Sequence, residues 1–232
     1  MLRPLRTGRC ALALIFLLAV PGSLFAQKIM QYNDQVFDFG HVGIEFTVLH
    51  TFKYINETDK PIHILGMDVP CDCSNVVASD TVINPGDTAF FRLSMATRNL
   101  YGPTNKSFKV KTDNPDAPEL QYFDLSIVGQ WFNGLKPTPL SLFFLPGKKS
   151  EMVSIPNFNY SSIEVTDHFQ YDSTFTFKIL KKEADKGDKI EIEFAPAPGL
   201  TKGTYFSNLT LEITKGDETT TILTIPIKIV RY

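Results

Sequence analysis

Two cysteines stand one residue apart in Val69-Pro-Cys-Asp-Cys-Ser-Asn75, and the third, Cys10, lies far upstream in an apolar leader. Such a pair can close a disulfide, exchange electrons or hold a soft metal. In an extended strand, residues i and i+2 are ~6.6 Å apart on one face. That is close to the upper Cα separation of a disulfide, ~6.8 Å, so closure needs a bent backbone. So small a loop restricts few unfolded conformations and stabilises little. Adding His63 and Met67 gives His-x3-Met-x3-Cys-x-Cys, an imidazole, a thioether and two thiolates suited to Cu(I) or a thiolate-rich zinc site. Against that, His63 alternates with Ile62 and Ile64, as on the far face of a strand, and Met67 suits loop packing. The expected state of Cys71 and Cys73 is a disulfide or buried thiols, with redox activity the alternative. No metal and no cofactor is expected.

Conventional catalytic patterns are missing from the sequence. It has no glycine-rich phosphate loop, G-x-S-x-G elbow or H-E-x-x-H. His41, His50 and His168 have no diagnostic spacing, and His50 shares parity with Phe52 and Tyr54, which predicts a packed histidine. Glu191 and Glu193 share a strand face with Lys189 and read as a solvated face. Phe143-Phe144 and Trp131-Phe132 read as core and interdomain packing. The expectation is a protein that is not an enzyme.

Residues 1–26 read as a cleaved signal peptide: Arg3, Arg6 and Arg9 precede an uncharged apolar core, and Ala26 precedes Gln27. The core is too short to span a ~30 Å bilayer interior. The chain carries 23 basic and 25 acidic residues, and losing the leader's three arginines shifts the balance further toward acid. Nucleic acid and anionic membranes are therefore poor partners. No second long apolar run follows, so an exported, soluble protein is expected, periplasmic or on the cell surface and not integral to the membrane.

The elements that must position these residues are strands. Phe46, Val48, Phe52 and Tyr54 alternate along one face, and further strands are predicted at 36–39, 61–65, 90–96, 107–112 and 122–131. Asn, Asp, Pro and Gly clusters separate them. Trp131-Phe-Asn-Gly-Leu-Lys-Pro-Thr-Pro139 interrupts the pattern, which resumes at 140–145, 152–155, 162–165, 175–180, 189–194, 207–214 and 220–230. Pro226 places the last of these at an edge or at its own start. Both halves end alike, in Phe123-Asp-Leu-Ser-Ile-Val and Ile225-Pro-Ile-Lys-Ile-Val, and each has a Gly-containing turn before its penultimate strand, at Tyr101-Gly102 and Lys202-Gly-Thr204. The prediction is an all-β chain with two copies of one sandwich module, at 27–131 and 140–232, joined by a linker at 132–139.

Phe37-Asp-Phe-Gly40, Asn56, Pro61-Ile-His-Ile64, Cys71-Asp-Cys73, Ile83-Asn-Pro-Gly-Asp87, Gly102 and Val110-Lys-Thr-Asp-Asn114 resemble, in order and spacing, the DUF1573 family of exported Bacteroidetes proteins. That family is similar to the immunoglobulin-like ASH and MSP domains. The resemblance covers about residues 35–131, and the second half fits as a degenerate copy without cysteines. It implies two tandem immunoglobulin-like β-sandwiches in a cell-envelope compartment. Asp72 stands where the family has glycine, and Met95-Ala-Thr97 where an acidic residue is expected. Asp80-Thr-Val82, Asp87-Thr-Ala89 and Asp172-Ser-Thr174 resemble Bacteroidetes O-glycosylation sites, so Thr81, Thr88 and Ser173 are modification candidates.

The function expected is binding of another envelope protein, as an accessory or assembly subunit. The alternatives are a pilus-type periplasmic chaperone, with Phe123, Leu125 and Ile127 as its donated row, and a thiol-redox or copper-handling protein. Partner capture is expected along the 122–131 strand, through Tyr122, Asp124, Ser126, Val128 and Trp131, because it lacks proline and carries only Asp124 as a charge.

Overall fold

The structure, a computed structural model, describes residues 36–43, 45–69, 71–98, 100–114, 119–128, 132 and 134–232, with backbone alone over 119–128. The expected signal peptide and Trp131 lie outside the described residues. Among those residues there are strands and no helix, so no helix is long and apolar enough to cross a membrane.

The first half holds β1 (Val36–Val42), β2 (Thr47–Ile55), β3 (Ile62–Asp68), β4 (Ser74–Ala78), β5 (Val82–Ile83), β6 (Thr88–Ala96), β7 (Pro103–Thr112) and β8 (Glu119–Val128). The second holds β9 (Leu142–Phe144), β10 (Glu151–Pro156), β11 (Ser162–Gln170), β12 (Phe175–Lys181), β13 (Glu183–Asp185), β14 (Lys189–Pro196), β15 (Gly203–Lys215) and β16 (Thr220–Arg231). Period-two burial explains them. Ala89, Phe91, Leu93 and Met95 of β6 are buried, with more exposed residues between them, and Ile190, Ile192 and Phe194 repeat this in β14.

The halves repeat one topology. A three-stranded sheet β2-β6-β4 faces the run β1-β8-β7-β3-β5, and β10-β14-β12 faces β9-β16-β15-β11-β13 in the same order. Phe39, Phe52, Phe91 and Phe108 fill the first sandwich; Phe144, Phe175, Ile192 and Phe194 fill the second. The repeat reaches single hydrogen bonds. Asn56 Nδ2 donates to Ile83 O at 2.8 Å and Asn157 Nδ2 to Ala184 O at 3.0 Å, each across 27 residues. The amides of Gly86 and Gly187 donate to the carbonyls of Asn56 and Asn157. Each asparagine is fully buried and ties a turn across the end of its sandwich.

The halves are also stitched together. β1 pairs in parallel with β8 over most of its length and with β16 at His41 and Val42, joining both larger sheets into one of ten strands. Gly40 permits the approach: its φ is +57°, and a Cβ there would lie 2.1 Å from Ile222 O. Thr224 Oγ1 donates to Phe39 O at 2.7 Å across the same seam. Phe169 of β11 inserts into the first half's apolar cluster. The stretch expected as a linker is packed, since Phe132 and Leu135 belong to the second cluster and Thr138 exchanges backbone bonds with Ser154.

Two sequence expectations are corrected by this topology. Pro226 lies inside β16, which is no edge: β15 pairs along one side, β1 and β9 along the other. The proline sits between those two contacts, where β16 changes neighbour. β8 is not an open edge either, since residues 124–128 are paired by both β1 and β7.

Candidate functional site

Cys71 and Cys73 occupy the turn that opens β4 and are joined by a disulfide, with Cα atoms 5.1 Å apart. A turn supplies the bend that an extended strand lacks. Ser74 N–H donates to Cys71 O, Ala96 N–H donates to Cys73 O, and Ser74 Oγ lies 3.3 Å from Cys71 Sγ. Cys73 packs with Met67 against the first core, and Asp72 projects into solvent.

The second sandwich builds the same turn without cysteine. Asp172 Oδ1 accepts from the amide and hydroxyl of Thr174 at 3.0 and 2.6 Å and from Ser207 Oγ at 2.8 Å. Ala197 N–H donates to Thr174 O, as Ala96 N–H does to Cys73 O. Covalent closure in one copy thus stands where charge-assisted hydrogen bonds close the other.

His63 is exposed on β3 and turned to Asp113: its amide donates to Oδ1 at 2.8 Å, and Nδ1 lies 2.6 Å from Oδ2. These contacts, the backbone hydrogen bond first, hold the Asp113 carboxyl below its usual range. His63, Met67 and the cysteines are not drawn into one site. Among the described residues no three His, Cys, Asp or Glu side chains could hold a metal ion together. His50 is buried, stacked on Phe37 at 3.8 Å and edge-on to Phe52, with Phe169 of the other half nearby. Burial pushes its pKa down to about 3, and its Nδ1 has no hydrogen-bond partner. His168 meets Phe177 edge-on, and Lys189 is paired with Glu191 at 2.8 Å. Of the modification candidates, Thr81 and Ser173 are exposed and Thr88 is half-buried.

Of the expected partner strand, Tyr122, Asp124, Ser126 and Val128 lie on β8, whose backbone has no open side over 124–128; Trp131 lies outside the described residues. The edge that is open lies elsewhere. Ala96 N–H to Cys73 O and Ser79 N–H to Phe90 O set the ladder phase of β4 against β6. Antiparallel alternation then turns the backbone groups of Val76 and Ala78, and the carbonyl of Ser74, away from β6. β4 ends its sheet, has no charged residue, and carries Val77 at 53% exposure.

The other described edges are guarded. On β2, Leu49 N–H is taken by Asn208 Oδ1 at 2.8 Å, and Lys53 follows. β10 is covered by Thr138 and ends in Pro156. β12 carries Lys178 and Lys181, β13 carries Glu183 and Asp185, and β5 and β9 are only two and three residues long. Sequence reading missed β4 altogether; its one signal was the Val76-Val77 pair beside the cysteines. A second exposed feature is a groove on the seam, where Lys228 Nζ sits 5.3 and 5.4 Å from the ring centres of the exposed Phe143 and Phe206.

These features define a pair of immunoglobulin-like β-sandwiches. Residues 30–127, most of the first sandwich, match the model of the DUF1573 family, described as a protein of unknown function. No curated protein sequence matches the chain. A solved protein of unknown function from Porphyromonas gingivalis W83 is 13% identical, covering 85% of this chain and 97% of its own, with a TM-score of 0.34. The periplasmic chaperone SfaE is 8% identical over 42% of this chain and 54% of its own, TM-score 0.34. The CupB2 chaperone of Pseudomonas aeruginosa is 10% identical over 81% and 97%, TM-score 0.26.

Proposed function

We propose that the chain is a non-enzymatic cell-envelope protein, exported to the periplasm or cell surface, that binds another protein as an accessory or assembly subunit. The observation that carries this reading is the β4 edge, uncharged and open where the other described edges are charged, covered or very short. An unguarded edge is an aggregation hazard unless a partner strand completes it. The pilus-chaperone alternative draws no support, because its donor row lies on β8, closed on both sides over residues 124–128.

The test replaces Val77 with a photoreactive amino acid, irradiates whole cells of the native host, and identifies adducts by mass spectrometry. A single dominant protein adduct is expected. Adducts formed from Phe206 on the seam groove, with none from position 77, would move the binding site and overturn the β4 assignment.

A further inference from the structure

Building on protein binding at β4, we infer what the partner strand looks like: an uncharged segment rich in β-branched residues, bounded at both ends by lysine or arginine. The edge itself demands the first feature. Val76 and Ala78 offer backbone N–H and C=O groups to the open side, and Ser74 offers its carbonyl, because its own amide is used by Cys71. Charge at the strand's centre would gain nothing there, since residues 74–78 have none to answer it. Val77 and Asn75 stand on the solvent face of the strand, and an added strand's side chains would flank them. Arg92 lies opposite Val77 on β6, one strand further in, so Val77 separates it from the incoming chain.

The ends demand the second feature. Asp72 precedes the strand on the disulfide turn and Asp80 follows it; both are exposed. Among the described residues Asp80 accepts a hydrogen bond only from its neighbour Ser79, and neither carboxylate forms an ion pair. Opposite charges directly across a strand pair are favourable and like charges unfavourable. The same acids argue against a second copy as the occupant. Antiparallel pairing of two copies centred on Val76 would set each Asp72 against the other copy's Asp80, two like-charge contacts at the margins of one small interface. The equivalent edge of the second sandwich shows the contrary arrangement: Lys178 takes the place of Val77, and Lys181 is paired with Asp188.

The experiment uses the mature chain and fluorescent peptides, read by anisotropy. The first probe is Lys-Thr-Val-Thr-Val-Thr-Val-Thr-Lys, and the second has glutamate at both ends. The lysine-ended peptide should bind roughly fivefold tighter or more at low salt, a gap of the size two surface ion pairs give, closing near ~1 M salt. The double variant Asp72→Lys/Asp80→Lys should reverse the order. Two further lysine-ended peptides, N-methylated at alternate residues in opposite phases, should differ, with only the phase that leaves the paired edge free still binding.

Equal affinity for both charge types would overturn the inferred ends while leaving strand addition intact. Equal binding of both N-methylated phases would overturn strand addition. A dimer in sedimentation that Val77→Lys abolishes would make the second copy the occupant and overturn the inference. The parent reading is judged separately, by whether the Val77 crosslinker captures a protein in cells.

Discussion

The two sandwiches share a strand order and differ where they meet their surroundings. At the turn before the edge strand, one copy has Cys71 and Cys73 in a disulfide and the other has Asp172 and Thr174 in hydrogen bonds. One strand further on, Ser74-Asn-Val-Val-Ala78 is open and uncharged, whereas Phe175-Thr-Phe-Lys-Ile-Leu-Lys181 carries two lysines. At the opposite edge of the same sheet, His50 is buried against the other half, and its counterpart Glu151 reaches Lys148. The fold tolerates all three exchanges, so none is needed to make a sandwich. The first copy's special features lie along its open edge and its seam, and those are the places to look for function.

The strongest way to break the comparison is at the seam, which the second copy lacks on its own β9. Gly40→Val should destabilise the chain by more than about 3 kcal/mol, since a Cβ at Gly40 meets the Ile222 backbone and the residue has positive φ. Urea unfolding checks this. Next come the matched asparagines. Asn56→Ala and Asn157→Ala should each cost about 2–3 kcal/mol, by removing a fully buried amide and orphaning carbonyls. A large cost in one copy alone would show that the repeat is geometric and not energetic.

His50 sharpens the contrast through pH. Its folded pKa of about 3 lies below the unfolded value near 6.5, so the unfolded state takes up a proton that the folded state refuses. Stability is full above pH 6.5 and is lost as pH falls toward 3, at no more than about 1.4 kcal/mol per pH unit. Between pH 6.5 and 4.5 the loss should approach ~2 kcal/mol, and His50→Phe should flatten that slope in parallel urea titrations.

The turns should be exchangeable. Cys71→Asp/Cys73→Thr transplants the second copy's hydrogen bonds and should change stability by less than about 1 kcal/mol, because the disulfide closes so small a loop. A variant that fails to fold would show that the covalent bond is indispensable to the first copy. The smallest stability effects belong to the edges. Val77→Lys and Lys178→Val should each shift stability by no more than about 0.5 kcal/mol. Yet Val77→Lys should abolish partner capture by a photoreactive residue placed at Asn75, and Lys178→Val should create a new, self-associating edge visible by light scattering.

Long alternating strands were legible from sequence: 46–54 and 90–96 both appear as β2 and β6 with small changes at their ends. So was the fate of His50, which shares parity with Phe52. The short strands β4, β5 and β13 escaped notice because two to five residues contain too little alternation to rise above loop composition. Pro226 misled, because the usual argument assumes that a proline must face an open edge; here β16 changes neighbour around it.

By itself, the sequence determined the all-β class, the duplicated pattern, the DUF1573 resemblance of the first half and the nearness of Cys71 to Cys73. All are local or periodic properties, written in neighbouring side chains. The tertiary structure decided which strands are edges, because an edge is defined by residues far away in the chain that do or do not pair with it. The 122–131 stretch carries one charge and no proline and looks open, yet β1 closes residues 124–128 from the far end of the same domain. β4 looks like a loop, yet it ends its sheet with the backbone groups of Val76 and Ala78 turned away from β6. Hydrogen-bonding capacity is present in every residue, and only the fold decides where it is left unspent.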